Sequence, residues 1–382
     1  MKAGILYPHS KAHPGLTAEY LAGLKSSLKQ QQLDNDITIV SESIGLGGSE
    51  KEVYEKAEKL LVWEDVDLII AYIDLRVLPL LEPLLYSSGK LVLVVNPGAN
   101  YPNNWVPQPN ILFLTLQHAF LCSLTGALPV INENEKAVVA TTFYDCGYLH
   151  SAAMVKGYLQ KGGKIGFNYV NNQRYDANFN TKELVDHLTA EDKTENLLCI
   201  FDEMPASLFY ECLNASDVAA RSHLFVSPMM LQPKALEKMA DGFKFSIQGY
   251  LPWHASSENE ANNLFVNSLR SQQKEPGIFS LLGWETALIL GQITQHCKDH
   301  QADGAKIAEI LASTKIESPR GELKLDPHTN YFISPVIKCS INNNTNKIEL
   351  EQMEIPLQAW TAFTEMPCEG VSSGWTNTYL CY

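Results

Sequence analysis

Few side chains in this sequence have a type and spacing that could do chemistry, and most of those resolve into plain structural roles. His296 and His300 stand at i and i+4, which puts two imidazoles on one helix face. The plain reading is a surface or satisfied pair, and no metal is expected. Eight cysteines occupy positions 122, 146, 199, 212, 297, 339, 368 and 381. None form a C-x-x-C pair, so neither a zinc ribbon nor thioredoxin chemistry has support. Cys199 lies within Leu197-Leu198-Cys199-Ile200-Phe201 and reads as a buried, inert thiol. Cys368 and Cys381 bracket a Gly/Ser/Thr-rich tail, and whether they are bonded stays open, because disulfides persist only in oxidising compartments. Gly45-Leu46-Gly47-Gly48 follows a strand but lacks the dinucleotide spacing. The stretch 157–164 runs into Ile165, where a phosphate loop needs Ser or Thr. There is no H-E-x-x-H. The expectation is a binding protein, not an enzyme, with no cofactor.

The elements that must position any site alternate between strand and helix. Residues 2–7, 66–72 and 91–95 read as buried strands and 37–40 as a further strand, with helices over 17–31, 49–62 and from Asp74 to about 87. Ser49-x-x-Glu52 opens one helix as a capping box, and Asp74 stands where the next needs its N-cap. The pattern restarts with strands at 137–141, 164–169, 197–201, 224–226 and 243–248, and helices at 148–160, 182–188, 207–213 and 233–238. Helical stretches at 258–272 and 279–300 follow, then β-rich segments at 321–325, 331–341 and 347–355. The fold class is α/β, with two doubly wound parallel-sheet lobes. In such sheets ligands sit beyond the carboxyl ends of the strands.

Composition agrees with this reading and narrows the partners. A chain of 382 residues predicts two or three domains. With 45% hydrophobic and 19% charged residues, disorder is excluded. No uncharged apolar run reaches about 18 residues, so no direct membrane insertion is expected. Lys plus Arg number 29 against 43 Asp plus Glu, a net −14 that repels phosphate backbones, and no nucleic acid partner is expected. Met1-Lys2 leads straight into the strand Ala3-Gly4-Ile5-Leu6-Tyr7, with no leader pattern. The expected location is cytoplasmic if the chain as written is complete, and periplasmic if a leader has been removed.

Several segments, in this order, resemble the type 1 periplasmic binding proteins, in the branch that binds branched-chain amino acids, amides and related solutes. They are Val66-Asp67-Leu68-Ile69-Ile70, the strand and loop from Gly89 to Asn100, and Glu135 to Ala140 continuing to Gly147-Tyr148. Gly283-Trp284-Glu285-Thr286-Ala287-Leu288 after Glu275-Pro276, and Pro319-Arg320-Gly321-Glu322-Leu323-Lys324-Leu325-Asp326, complete the set. The resemblance implies a three-segment hinge, placed near 114–118, 250–254 and 326–331. Lobe 1 is then 1–116 plus 252–328, lobe 2 is 117–251 plus 329–356, and 357–382 is an aromatic-rich C-terminal extension. Ligand-driven closure is the implied mechanism.

The resemblance also implies the ligand set. The family's carboxylate-binding loops fall at Tyr72-Ile73-Asp74 and at 96–100, which makes Tyr72, Asp74, Asn96, Gly98 and Asn100 candidates. An exposed Asp74 would repel a carboxylate unless it only caps its helix. Ser10 and His13 lie in the first-strand loop, where the family contacts its ligand. Tyr144 and Tyr148 flank the turn that opens lobe 2, and Trp253 lies near a hinge, packed between lobes or walling the cleft. The family's ammonium-binding acid is replaced by Met229, and Asp202, beside Glu203, is offered instead. The implied function is binding of an amino acid, amide or short-chain acid in an interlobe cleft, as the substrate-binding component of an ABC-type importer that meets a permease. The alternative is a cytoplasmic ligand sensor docking a regulatory protein.

Overall fold

The central strands form where apolar residues run unbroken, because a sheet covered on both faces has no polar side there. The computed structural model describes residues 1–102, 105, 108–129, 136–143, 149–171, 179–191, 195–239, 242–296, 303–343, 347–366 and 379. In chain order the elements begin β1 (Lys2–Tyr7), α1 (Leu16–Gln30), β2 (Thr38–Ser43), α2 (Glu50–Glu58), β3 (Leu68–Tyr72), α3 (Leu78–Ser87), β4 (Leu91–Asn96) and β5 (Ile111–Thr115). Then come α4 (His118–Gly126), β6 (Lys136–Thr142), α5 (Leu149–Gln160), β7 (Lys164–Asn171), α6 (Lys182–Glu191), β8 (Glu195–Ile200), α7 (Glu203–Asn214), β9 (Ser222–Val226), α8 (Pro233–Leu236) and β10 (Ser246–Leu251). The chain continues through α9 (Glu260–Arg270), α10 (Ile278–His296), α11 (Gly304–Ala312), β11 (Ile316–Ser318), β12 (Gly321–Leu325) and β13 (Tyr331–Ile333). It ends with β14 (Val336–Ile341), β15 (Ile348–Met353) and α12 (Leu357–Thr364).

These elements make two units. The first comprises 1–116, 253–335 and Tyr379, and the second comprises 117–252 and the part of 336–378 that is described. The first sheet has the order β11-β12-β13-β5-β4-β3-β1-β2, and the second β15-β14-β10-β9-β8-β6-β7. Within each, the five strands in the order 2-1-3-4-5 run parallel. That order reverses between β1 and β3, and again between β6 and β8. A crevice opens beyond the strand ends at such a reversal, because the flanking loops leave on opposite faces.

The helices covering the first sheet pack closely through glycine. A Cβ on Gly23 would overlap the Ser280 carbonyl, and one on Gly283 the Tyr20 carbonyl, so α1 and α10 approach backbone to backbone. In the second unit Gly126 and Gly157 do the same for α4 and α5 against Met154 and Ser123.

Two expectations are corrected by the fold. The β-rich segment over 331–341 holds two strands in different sheets: β13 pairs parallel with β5, and β14 pairs antiparallel with β10. Pro335 separates them, since it has no N–H to continue a ladder. Residues 326–331, expected as a hinge, form the turn of the antiparallel β12–β13 hairpin, closed by Asn330 N–H to the Asp326 carbonyl (2.8 Å). The chain changes unit at 116/117, 252/253 and 335/336, and Tyr379 belongs again to the first unit. The helix expected over 49–62 is α2 followed by a single π turn over Lys59–Trp63, and Ser49 caps α2 by accepting from the Glu52 N–H.

Candidate functional site

In the first unit the candidate residues gather after β1, β3 and β4, but they bind mainly to each other. Asp74 is 1% exposed and is not a helix cap; α3 begins only at Leu78. Its Oδ1 accepts from the Arg76 backbone N–H (2.9 Å) and Nε (3.3 Å), and Oδ2 accepts from Asn100 Nδ2 (3.0 Å). The turn arises because a short carboxylate reaches the N–H two residues on. The carboxylate is therefore enclosed and paired, and the repulsion expected of an exposed Asp74 does not arise. Asn96 Nδ2 donates to the Ile73 carbonyl (3.1 Å), and its Oδ1 accepts from the Gly98 N–H (2.8 Å). Gly98 has φ of +78°, which the loop's tight turn requires and a side chain would strain. Asp74, Asn96, Gly98 and Asn100 thus lock the two loops into one shape.

Tyr72 is different. Its hydroxyl is buried with no hydrogen-bond partner, and its ring meets Tyr20 edge-on at 5.3 Å. Burial holds the phenol well above its ordinary pKa, so it stays a neutral donor. Ser10 and His13 lie together after β1, where the His13 N–H donates to Ser10 Oγ (2.9 Å). Trp253 is fixed inside the first unit: Nε1 donates to Asn262 Oδ1 (2.7 Å) and the ring meets Phe265 at 5.5 Å.

In the second unit one sheet face carries Val139, Leu198, Ile200 and Phe225 against Met154 and Tyr158 of α5. Alternation places Thr141 on that same face, in register with Ile200. Ser227 occupies the next place along the row, its N–H on the Cys199 carbonyl (3.0 Å). Both hydroxyls are buried, and among the described residues neither has a hydrogen-bond partner. Two strand spacings of ~4.8 Å put their backbones ~10 Å apart across Ile200. His118 and His150, each 1% exposed, open α4 and α5. Burial pushes His150 down to about 4, against the opposing pull of the Asp202 carboxylate. At neutral pH it is an uncharged imidazole. Asp202 caps α7, accepting from the Glu203 N–H (2.8 Å). Met229 is buried in the turn Pro228–Leu231 after β9.

The sequence reading did not single out Thr141, Ser227 or His150. Register supplies the signal for the first two: each is a hydroxyl on the last turn of an otherwise apolar strand face. Tyr144 and Tyr148 lie outside the described residues, as do Cys297, His300, Cys368 and Cys381. Among the described residues no cluster of His, Cys, Asp and Glu could hold a metal ion, and no helix is long and apolar enough to cross a membrane.

A family model described as "Periplasmic binding protein" matches residues 21–345. No curated protein matches the sequence. Among solved structures, an ABC transporter substrate-binding protein from Sphaerobacter thermophilus is similar at a TM-score of 0.74 and 15% identity, over 93% of this chain and 98% of that one. A solute binding protein of an ABC transporter from Rhodopseudomonas palustris, in complex with 3,4-dihydroxy benzoic acid, gives 0.70 and 16%, over 93% and 96%. A branched-chain amino acid transporter substrate binding protein from Streptococcus pneumoniae, in complex with isoleucine, gives 0.69 and 12%, over 93% and 99%. At these identities the likeness is one of fold.

Proposed function

Since the chain belongs to the periplasmic binding protein family, we propose that it binds a small polar solute at its strand-end faces and delivers it to an ABC-type importer. One observation supports the site: Thr141 and Ser227 present buried hydroxyls that no group among the described residues satisfies, on one row beyond the switch point of the second sheet. Buried polar groups are nearly always paired, so unpaired ones at a strand end mark a place for a ligand's polar atoms. Tyr72 offers a third such hydroxyl at the corresponding end of the first sheet.

All three are neutral donors, and His150 beside Asp202 is neutral too. This chemistry suits a carboxylate or amide oxygen. The solute class is an amino acid, an amide or a small organic acid, with aromatic acids added because a structural neighbour carries 3,4-dihydroxy benzoic acid. The reading is of binding without chemistry. Closure on the solute, a permease partner and a periplasmic workplace are parts of the same proposal.

A thermal-shift screen tests it, with isoleucine, benzoate, amides and short-chain acids. A solute at 100 times its Kd stabilises by about 2.7 kcal/mol. One class shifting the transition supports the proposal, and no shift with any class removes it.

A further inference from the structure

The strand-end loop after β1 is covered from within the chain. Tyr379, 2% exposed, lies on Ser10 and His13, which are themselves buried. The Ser10 hydroxyl donates to the Tyr379 carbonyl while accepting from the His13 N–H. The rings of His13, Phe279 and Tyr379 close a triangle. His13 meets Tyr379 at 5.1 Å and Phe279 at 5.4 Å, and Phe279 meets Tyr379 at 5.5 Å. The two contacts made by Phe279 are edge-to-face, at 67° and 89°, the geometry that ring quadrupoles favour. Phe279 stands in the first turn of α10, whose close packing on α1 brings that turn to the loop.

What this corner accepts is chemically specific: an aromatic ring, held by two ring neighbours, with an oxygen acceptor within reach of one hydroxyl donor. An aromatic acid has those two features. Ser10 and His13 also follow β1, one of the two strands that flank the switch point of this sheet. The Ser10 hydrogen bond and the two ring contacts are interactions that a small aromatic acid can also make.

We propose that the loop carrying Ser10 and His13, with Phe279, forms an aromatic subsite of the solute face, and that Tyr379 is its resident occupant until an aromatic acid displaces it. The displacement rests on the solute-binding reading above; the docking of Tyr379 rests on the contacts alone.

The test has two arms on the full chain, comparing native protein with Tyr379→Ala and Tyr379→Phe. In the first, hydrogen exchange is followed in the peptide covering 9–16 without solute. Tyr379→Ala speeds exchange of the His13 amide, and Tyr379→Phe, which keeps the ring, leaves it near native. In the second, benzoate and isoleucine are titrated by calorimetry. Removing a competitor tightens benzoate by about tenfold or more in Tyr379→Ala, as expected when the competent fraction of the free protein rises, and changes isoleucine far less. Exchange unchanged in Tyr379→Ala overturns the docking, whatever the solutes do. Faster exchange with benzoate affinity unchanged or weakened overturns the displacement and leaves Tyr379 as a packing residue. Neither solute binding to any of the three chains counts against the solute-binding reading and removes the displacement with it.

Discussion

Replacing Thr141 by Val and Ser227 by Ala should move stability and affinity in opposite directions. Each hydroxyl is buried without a partner among the described residues. An unmade hydrogen bond in the interior carries a desolvation penalty of roughly 1–3 kcal/mol, and an apolar group of the same shape carries none. The ligand-free Thr141→Val protein is therefore expected to be neutral to about 1 kcal/mol more stable, with Val filling the same volume. In a unit of this size, about 1 kcal/mol corresponds to roughly 2–4 °C. Bound solute reverses the sign. A hydrogen bond to a charged oxygen contributes about 1.5–3 kcal/mol, so each variant should bind a carboxylate solute roughly 10-fold to 100-fold more weakly. The assay is a thermal transition with and without the solute that the screen identifies, followed by calorimetric titration. A ligand-free transition lowered by several degrees in both variants would show that the hydroxyls were already satisfied. An unchanged Kd would show that they do not face the solute. Either result refutes the assignment of this row as the site.

Further predictions concern what holds the site in place. Arg320 and Glu285 form a two-pronged ion pair at 2.7 and 2.8 Å with both side chains fully buried, and Ser318 also donates to Glu285. Arg320→Met alone strands the carboxylate and should cost about 3–5 kcal/mol in urea unfolding, while adding Glu285→Leu should recover most of it; equal losses in the single and double variants would refute this. His150 titrates near 4 when folded and near 6.5 when unfolded, so the unfolded chain binds the extra proton between those values. Its contribution is complete above about pH 6.5 and is lost as pH falls toward 4, by roughly 3 kcal/mol, and His150→Gln should flatten that part of a stability–pH profile. Identical profiles in the two proteins would rule out buried His150 as the source.

The sequence exposed the sheets more clearly than the loops, for a physical reason. The five apolar positions of β3 and the five of β4 before Asn96 are buried throughout, and continuous runs of that kind have no alternative structure in a doubly wound fold. Loop roles depend on partners distant in sequence. Asp74 reads as an N-cap because a carboxylate precedes a helical pattern, yet its Oδ2 receives Asn100, 26 residues on. Trp253 reads as a hinge or cleft residue from its place in the chain, and Asn262 with Phe265 fix it within one unit. Thr141 and Ser227 draw no notice as isolated letters. They become a pair only when strand register sets them on one row.

The same logic explains why two of the family-like motifs are read best together. Gly283-Trp284-Glu285-Thr286 and Pro319-Arg320-Gly321 are weak signals taken singly, separated by more than thirty residues of chain. In the fold, Glu285 of the first meets Arg320 of the second. Arg320 Nη1 also donates to the Thr115 carbonyl (3.2 Å), the last residue of β5, just before the chain leaves the first unit at 116/117. An arginine suits this position because its planar fork can meet both carboxylate oxygens and still spare a donor for a backbone carbonyl; a lysine could not do all three. Gly283 lies on the same helix two residues before Glu285, and its closeness to the Tyr20 carbonyl fixes how far α10 can shift. The two motifs therefore specify one construction, a buried charge pair that ties α10, the β11–β12 turn and the end of β5 together. Lysine at 320 should consequently destabilise the first unit even though the charge is retained.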